Sequence, residues 1–560
     1  MNMKELAAKT APVLESGQIE YVPDRFRGYA LEWLANIRDW ALSRQIWWGH
    51  RIPAWYCTRC SGAGLSPMGG LGREEALRTG SFRVSVEDGA TPIVSSSRPA
   101  ACPTCGGTDL VQDPDVLDTW FSSALWPFAT LGWPEDTAAL RYFHPTDLMI
   151  TARDILYLWV LRMAMTSLEF VEEIPFRTVL VHPTVLTKDG QRMSKSLGTG
   201  LNPLDLVELY GTDATRYSLL AQCGTTQDVR FDADVVDNKV ESSLSARAGQ
   251  NFCNKLWNAA RFLLMNLEEY QPGDGDAASE ELADRWIRSR LASTIRQVDE
   301  AGDGYRFSDV TRALHDFLWR DYCDWYLELA KPRLYGDDAA ARQQARDILV
   351  EVFEQALRLM HPVMPYVTES LWQALPGHGE RGPSIMVSAW PAPAAAHVDG
   401  AAEEEMAFVQ EVISAARTIR SELSVPPGRT VALVLSAGSE ESAQRLESNR
   451  QYLEVLVGAE EITVGQGLEQ PPQSGSAVVG DVEVYVPLAG LIDVEAEQRR
   501  LQKEVDKLRG LLKGLDAKLG QEAFVTRAPA AVVERERQRR EEYGASLAAL
   551  EASLEALTGA

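Results

Sequence analysis

Apolar positions recur at a spacing of three and four along the carboxy-terminal stretch: Val494, Leu501, Val505, Leu508, Leu512, Leu515 and Leu519, with only Gln498 polar in the series. After a break around Gly520 to Pro529, Tyr543, Leu547, Leu550, Leu554 and Leu557 resume the spacing. Two heptad segments joined by a short break predict an antiparallel coiled-coil hairpin. Glu, Lys and Arg fill nearly every other position, which favours a protruding hairpin over an ordinary helical pair packed on the main body. Residues 239–375 are almost continuously helical by apolar period, with many Trp and few Gly. Residues 106–235 alternate strand and helix signals. The Pro/Ala-rich run Trp390-Pro391-Ala392-Pro393-Ala394 breaks the pattern. Residues 402–488 then mix one amphipathic helix with β-rich runs such as Val431-Ala432-Leu433-Val434-Leu435 and Val482-Glu483-Val484-Tyr485-Val486. Near the other end, residues 57–105 are a Gly/Ser/Pro-rich insert bracketed by two Cys pairs, and residues 1–56 are rich in Trp and Arg.

Composition narrows the class. The chain has 560 residues, too many for one core, and at about 150 residues per domain several domains are expected. Hydrophobic residues make up 45%, which fits a globular rather than a disordered chain. No apolar run reaches the roughly 18 residues a membrane helix needs. The first residues carry Lys4, Glu5, Lys9 and Glu15 and no apolar core of a signal peptide. A cytoplasmic protein with reduced cysteines is therefore expected. The formal net charge of −25 argues against non-specific coating of nucleic acid, which relies on many cations neutralising phosphates. It leaves room for a local, shaped contact to one RNA.

Two clusters carry chemistry. The first is Lys188-Asp189-Gly190-Gln191-Arg192-Met193-Ser194-Lys195-Ser196-Leu197-Gly198. A strand-like run, Thr178-Val179-Leu180-Val181-His182, leads into it, and a helix opens after it with Pro203 in its first turn. Two cations and two hydroxyls on a loop between strand and helix suit a triphosphate. Attack on the α-phosphate builds negative charge on departing pyrophosphate, and preorganised cations stabilise that charge most in the transition state. A lone match of this length is equally well a basic surface turn. The second cluster is Cys57-Thr58-Arg59-Cys60 with Cys102-Pro103-Thr104-Cys105-Gly106-Gly107. Four thiolates at this spacing suit a tetrahedral structural zinc, with disulfides the less favoured alternative. The loop between the pairs is expected to lack a core of its own. Cys223, Cys253 and Cys323 are isolated and expected to be buried apolar residues.

The Arg192-to-Ser196 run does not stand alone. It resembles the KMSKS signature of the class I aminoacyl-tRNA synthetases, with Arg192 in place of the first Lys and the charge kept. Asp39-Trp40-Ala41-Leu42-Ser43-Arg44-Gln45-Ile46-Trp47-Trp48-Gly49-His50-Arg51-Ile52-Pro53 resembles the segment that re-enters the catalytic domain after the editing insertion in the valine, isoleucine and leucine enzymes. Asp118-Thr119-Trp120-Phe121-Ser122-Ser123 and the 151–163 segment match further family motifs in the right order, except that Ala152 and Pro183 stand where Gly is usual. Asn251-Phe252-Cys253-Asn254-Lys255-Leu256-Trp257 and His361-Pro362-Val363-Met364-Pro365 resemble the family's anticodon-binding helices. The terminal hairpin, with residues 524–533, resembles the tRNA-contacting coiled coil of the valyl branch.

The resemblance implies a multidomain α/β plus α fold. Residues 1–56 with 106–238 become the carboxy-terminal half of a Rossmann-like catalytic domain, and 57–105 its zinc knuckle. Residues 239–390 become a helical anticodon-binding domain, 391–488 a small α/β connector, and 489–560 the tRNA-binding hairpin. It implies catalysis by Lys195, Arg192, Ser194 and Ser196, and ATP contacts from Lys195, Asp154 and His182. It implies a valine pocket of Trp120, Ile155 and Trp159, the last two sharing a helix face. It implies tRNA contacts from Phe252, Arg527, Arg535 and Arg539, although Phe252 fits a core position equally well. Zinc on Cys57, Cys60, Cys102 and Cys105, ATP with Mg2+, valine and tRNA(Val) complete the set. None of the seven histidines (His50, His144, His182, His315, His361, His378 and His397) stands in the His-x-Gly-His motif that class I enzymes also need. The large editing insertion is missing too. The expectation is a valine–tRNA ligase chain that lacks the amino-terminal half of the active site, is inactive alone, and works with a separate amino-terminal fragment. A non-catalytic tRNA-binding remnant is the rival reading, and a fragment of an isoleucine enzyme a weaker one.

Overall fold

The computed structural model describes the chain except residues 61–62, 80, 87–90, 194–198, 225–226, 237–238, 273–280, 378–381, 424, 427, 489–493, 522–528 and 559–560. It divides into two compact units, 1–202 with 221–243 and 303–308, and 203–220 with 244–302 and 309–560.

In the first unit three parallel strands lie in the order Glu20–Val22, Phe176–His182, Thr146–Ala152. Phe176–His182 is the central strand, and its Val179, Leu180 and Val181 are all buried, as expected when both faces of a parallel strand are covered. The helix Leu161–Phe170 makes the crossover between the two longer strands and buries Leu161, Met163, Ala164 and Met165, the continuous apolar face that such a βαβ unit needs. His182 and Ala152 pair at the carboxyl end of these strands, the edge where open α/β sheets bind ligands. Ala152 takes φ −84° and ψ 150°, ordinary extended backbone. The Gly usual in the family is therefore not required by the chain path here.

Residues 57–105 order more than the sequence predicts. Ala63–Pro67 pairs antiparallel with Phe82–Val86, and the helix Arg73–Thr79 joins them. Ala76 and Phe82 are buried, so this loop has a small core of its own.

The second unit is a helical body followed by a sheet and two long helices. Leu244–Met265, Leu282–Asp303 and Ala339–Met360 surround a core that includes Trp372, Tyr322, Tyr326 and Phe353. Asp284 is fully buried there, but Arg333 and the Tyr326 hydroxyl both bond to it, so the charge is compensated. The helices Pro203–Tyr210 and Thr212–Leu220 belong to this unit, not to the first, where a division at 238 puts them. The Asp213 carboxylate accepts from the N–H groups of Tyr366 and Val367. Gly249 also lets its helix approach Ala214 so closely that a Cβ would lie 2.6 Å from the Ala214 carbonyl oxygen. These ties are tertiary and invisible to local pattern.

Strands order as Ala459–Gln466, Val431–Ala437, Val482–Pro487, Ser474–Val479, the first pair parallel and the others antiparallel. The helix Gly400–Glu422 packs on this sheet. Gly475 sits under Ile419, where a Cβ would lie 2.3 Å from Ile419 Cγ2. Val494–Leu519 and Ala530–Thr558 run antiparallel: Arg509 pairs with Glu551, Asp516 with Arg540 and Lys518 with Glu536. Leu501 and Val505 are buried, and Leu550 and Leu554 pack against the core shared with the sheet. The root of the helical pair is thus seated on the body.

Candidate active site

Beyond Ala152 the chain makes a 3-10 turn, Arg153–Ile155, and then one π-helical winding, Leu156–Val160. Ile155 and Trp159 therefore do not share the regular α-helix face expected of them, because the wider winding starts between them. Trp159 is half-buried and its Nε1 donates to the Ser123 carbonyl at 3.2 Å. That bond ties it to the short helix Thr119–Ala124, which carries Trp120. Trp120 and Trp159 pack against the same buried cluster; Ile155 is half-buried and outside it.

Trp120 is positioned by residues that local pattern does not reveal. Asp118 caps its helix, accepting from the Trp120 N–H at 3.0 Å. The same carboxylate accepts from Trp40 Nε1 at 3.0 Å and pairs with Arg44. The guanidinium of Arg162 lies 3.6 Å from the centre of the Trp40 ring. Burial pushes the Arg162 guanidinium below its usual range, and Asp118 pulls it back; contact with an indole face suits a cation with few hydrogen-bond partners. Asp118 and Arg162 were legible only as members of the quoted segments, not as partners.

After His182 the strand Val185–Leu186 pairs with Val229–Arg230. A tight turn follows: Gly190 N–H donates to the Thr187 carbonyl at 2.9 Å, and Gln191 N–H to Thr187 Oγ1 at 3.1 Å. Gly190 sits at φ 81°, where a residue with a Cβ is strained. This turn returns the chain so that Arg192 bridges Leu186, and Arg192 Nη2 reaches Asp154 Oδ2 at 2.8 Å. Beside it Arg153 pairs with Asp228 at 2.8 Å, and Asp228 also accepts from the Thr184 N–H. His182 is exposed, its Nδ1 2.9 Å from the Pro183 carbonyl. Arg192 and Asp154 are thus brought together at the carboxyl edge of the sheet. Ser194, Lys195 and Ser196 lie outside the described residues.

The four cysteines converge. Cys57 Sγ is 3.6 Å from Cys105 Sγ, Cys60 Sγ is 3.5 Å from Cys102 Sγ, and all four sulfurs lie within 4.8 Å of one another. A tetrahedral zinc with Zn–S near 2.3 Å spaces its sulfurs about 3.8 Å apart, whereas a disulfide needs about 2.05 Å. The donor set therefore fits a metal and no S–S bond. The backbone N–H groups of Cys105 and Thr104 hold the Cys102 thiol down at about 6, and that of Arg59 lowers Cys57. Cys60, facing Cys105 and Cys102, is pushed up.

Of the expected RNA contacts, Phe252 is corrected. Its ring is fully buried, enclosed by Tyr217, His315 and Trp319, and leaves no face for a base. Arg535 and Arg539 are exposed on the last helix; Arg527 lies outside the described residues.

Residues 1–232 match the family model of the class I tRNA synthetases (I, L, M and V). Residues 284–435 match the anticodon-binding domain of tRNA ligases, and 493–558 the tRNA binding arm of valyl tRNA synthetase. The valine–tRNA ligase of Syntrophotalea carbinolica is 41% identical over 560 residues, all of this chain and 58% of that protein. That of Bacillus subtilis is 42% identical over 544 residues, 97% of this chain and 56% of that protein. The chain thus spans a little over half the length of these relatives. A solved Mycobacterium tuberculosis methionyl-tRNA synthetase bound by methionyl-adenylate superposes over 70% of this chain and 67% of its own with a TM-score of 0.48 at 18% identity, too loosely to add to the assignment. The unbroken similarity to valine enzymes, which runs through the terminal arm, makes this chain a member of the valyl-tRNA synthetase family of the class I tRNA synthetases.

Proposed function

We propose that the chain supplies the pyrophosphate-side half of a valine–tRNA ligase, which activates valine with ATP and transfers it to tRNA(Val). In the first step the valine carboxylate attacks the α-phosphorus, the bond to pyrophosphate breaks, and valyl-adenylate forms. In the second, a terminal ribose hydroxyl of the tRNA attacks the valyl carbonyl and AMP leaves. Mg2+ accompanying ATP would share the phosphate charge. Arg192, Lys195, Ser194 and Ser196 hold the departing pyrophosphate, Asp154 the nucleotide ribose, and His182 the nucleotide's edge. Trp120, Ile155 and Trp159 bound the valine side chain. Cys57, Cys60, Cys102 and Cys105 hold a structural zinc that fixes the knuckle. The two terminal helices form a coiled-coil arm whose Arg527, Arg535 and Arg539 meet tRNA phosphates. The working domains are 1–56 with 106–238, 57–105, 239–390, 391–488 and 489–560, with 203–220 packing as the second unit requires. A cytoplasmic setting suits this work; among the described residues no helix is long and apolar enough to cross a membrane.

The observation that carries the reading is the Arg192–Asp154 approach at the carboxyl edge of the parallel sheet, in a chain similar throughout to valine–tRNA ligases. Residues 1–560 hold no His-x-Gly-His motif; the segment that bears it, whether on the same polypeptide or another, is the proposed catalytic partner of this half. Valine-dependent pyrophosphate exchange, with that partner present, tests this. Lys195→Ala should lower exchange on the order of 10²–10³-fold. Exchange that survives the substitution removes Lys195 from the pyrophosphate role; exchange that never appears while tRNA still binds overturns the catalytic reading in favour of a tRNA-binding remnant.

A further inference from the structure

Arg162, second in the helix Leu161–Phe170, is only 9% exposed. Its Nε and Nη1 are buried and meet no hydrogen-bond partner, and among the described residues it forms no ion pair. Asp118, the acid that acts on it, already accepts from the Trp120 N–H and from Trp40 Nε1 and pairs with Arg44. The contact that the guanidinium does make is with the face of Trp40, 3.6 Å from the ring centre. A buried cation with two orphaned donors is less stabilising than an apolar side chain of similar volume. Stability therefore does not account for an arginine at this position, and what it does to Trp40 remains.

Trp40 is a hub. Its face lies under Arg162, its Nε1 donates to Asp118 at 3.0 Å, and its ring meets that of Phe121 at 6.3 Å and 55°. Phe121 and Trp120 are neighbours on the helix Thr119–Ala124, whose six residues are too few to hold a helix unaided. Its far end is fixed by two bonds, from Trp159 Nε1 to the Ser123 carbonyl at 3.2 Å and from Thr166 Oγ1 to the Ala124 carbonyl at 2.7 Å. Its near end, which carries Trp120, depends on the Asp118 cap and so on Trp40. A guanidinium lies flat on an indole and, where desolvated, holds it firmly.

We propose that Arg162 is a positioning residue for amino-acid specificity. By clamping the face of Trp40 it fixes Asp118 and Phe121, and through them the depth to which Trp120 closes on the amino-acid side chain. The inference rests on the reading that Trp120 and Trp159 bound the valine side chain.

The test is pyrophosphate exchange with valine, isoleucine or threonine, by the 560-residue chain together with the segment that bears the His-x-Gly-His motif. Arg162→Met keeps an unbranched stem and removes the charge. Its melting temperature should equal or exceed that of wild type, because the orphaned donors are gone. Its preference for valine over isoleucine should nevertheless fall about tenfold; one methylene in a hydrophobic pocket, synthetases included, is worth about 10- to 200-fold. The KM for valine should rise and that for ATP stay put, since neither Asp154 nor Arg192 is among the groups acting on Arg162. Preference over threonine, which has valine's shape, should change less than about twofold, because a wall that shifts admits volume and not a hydroxyl. Arg162→Lys should recover part of the loss. Trp40→Phe keeps a ring under Arg162 but loses the bond to Asp118; it should also admit isoleucine, and it carries the test if Arg162→Met does not fold. An unchanged valine-to-isoleucine ratio in the folded variants, with robust exchange, overturns the proposal and leaves the catalytic reading standing. Stability and both preferences falling together also overturn it, because a purely structural role gives that result. Wild type that binds tRNA but never exchanges overturns the catalytic reading, and this proposal with it.

Discussion

Arg192 Nη2 lies 2.8 Å from Asp154 Oδ2, joining the loop that would hold pyrophosphate to the carboxylate that would hold the ribose. Both side chains are well exposed, at 75% and 42%. Such a pair contributes at most about 1 kcal/mol, because water screens it and both chains lose freedom. It is therefore weak enough for a nucleotide to open. In the proposed reaction phosphates would compete for the guanidinium and ribose hydroxyls for the carboxylate, so the same atoms that bind each other without ATP would bind it when it arrives.

Removing Arg192 should then cost catalysis and not stability. Arg192→Gln is expected to lower valine-dependent pyrophosphate exchange on the order of tenfold or more, because the lost charge acts on the leaving group. The melting temperature should stay within about a degree, given the small worth of an exposed pair. A large fall in melting temperature would show that the pair is structural instead.

Zinc should be present at one per chain. The sulfur spacing of 3.5–3.6 Å across the two knuckles leaves room for a four-coordinate ion and none for a disulfide. Metal analysis of protein never exposed to chelator should give this ratio, and Cys60→Ser should reduce it. A ratio far below one would sink the assignment. Because Ala76 and Phe82 give the 57–105 insert some core, chelation should loosen the knuckle without unfolding the hairpin Ala63–Pro67 with Phe82–Val86.

Local chemistry was legible where it is carried by spacing. The heptad positions Leu501 and Val505 are buried, and the Cys pairs converge as their spacing suggests. The strand leading to Arg192 and the helix opening at Pro203 are both present. What stayed hidden depends on contacts between distant residues. Asp118 meets Trp40 and Arg44 across more than seventy positions, and no period encodes that. The π winding at Leu156–Val160 is a departure from the α-period on which the pocket argument relied. The move of 203–220 into the second unit follows from Gly249 and Asp213, whose partners are far along the chain.

Phe252 illustrates the same limit and gives a sharp test. An aromatic in a family segment suggests stacking on RNA, but this ring is enclosed by Tyr217, His315 and Trp319. Phe252→Ala should destabilise the second unit by about 3–5 kcal/mol, the range for a truncated core aromatic. Denaturant unfolding measures this. The protein that remains folded should bind tRNA as wild type does; a selective loss of tRNA affinity at full stability would restore the stacking role.

Acid should destabilise the first unit through His144. Burial lowers its pKa from the ordinary value near 6.5, although Glu173 opposes the shift. The folded state then prefers the neutral ring. Between the lowered folded value and 6.5 the unfolded chain binds more protons, so stability rises with pH across that window and is lost on acidification. Unfolding free energy should fall as pH drops below about 6.5, and His144→Gln should flatten that slope. His361, also lowered by burial, contributes a like trend in the second unit, so the difference between wild type and variant isolates His144. An unchanged slope would mean the ring keeps water or a partner in the fold.

The arm separates arginines that are spent from those that are free. Arg540 pairs with Asp516, Arg509 with Glu551 and Arg537 with Glu534. Arg535 and Arg539 are exposed, and among the described residues neither has an ion pair; Arg539 only lies over the Tyr543 ring, 5.8 Å from its centre. A phosphate meeting Arg540 must first displace a carboxylate, while one meeting Arg535 or Arg539 displaces only water and counterions. Counterion release is what produces the dependence of affinity on salt. Arg535→Gln with Arg539→Gln should therefore weaken tRNA(Val) binding and lower the salt slope by roughly one to two phosphate equivalents. Arg540→Gln should change both much less, although its loss frees Asp516 and leaves a repulsive charge near the contact. Binding measured from low to moderate salt distinguishes these variants. If Arg540→Gln proves as costly as the double variant, the paired and unpaired cations contribute alike, and the arm acts through its overall charge, not through the two side chains the fold leaves open.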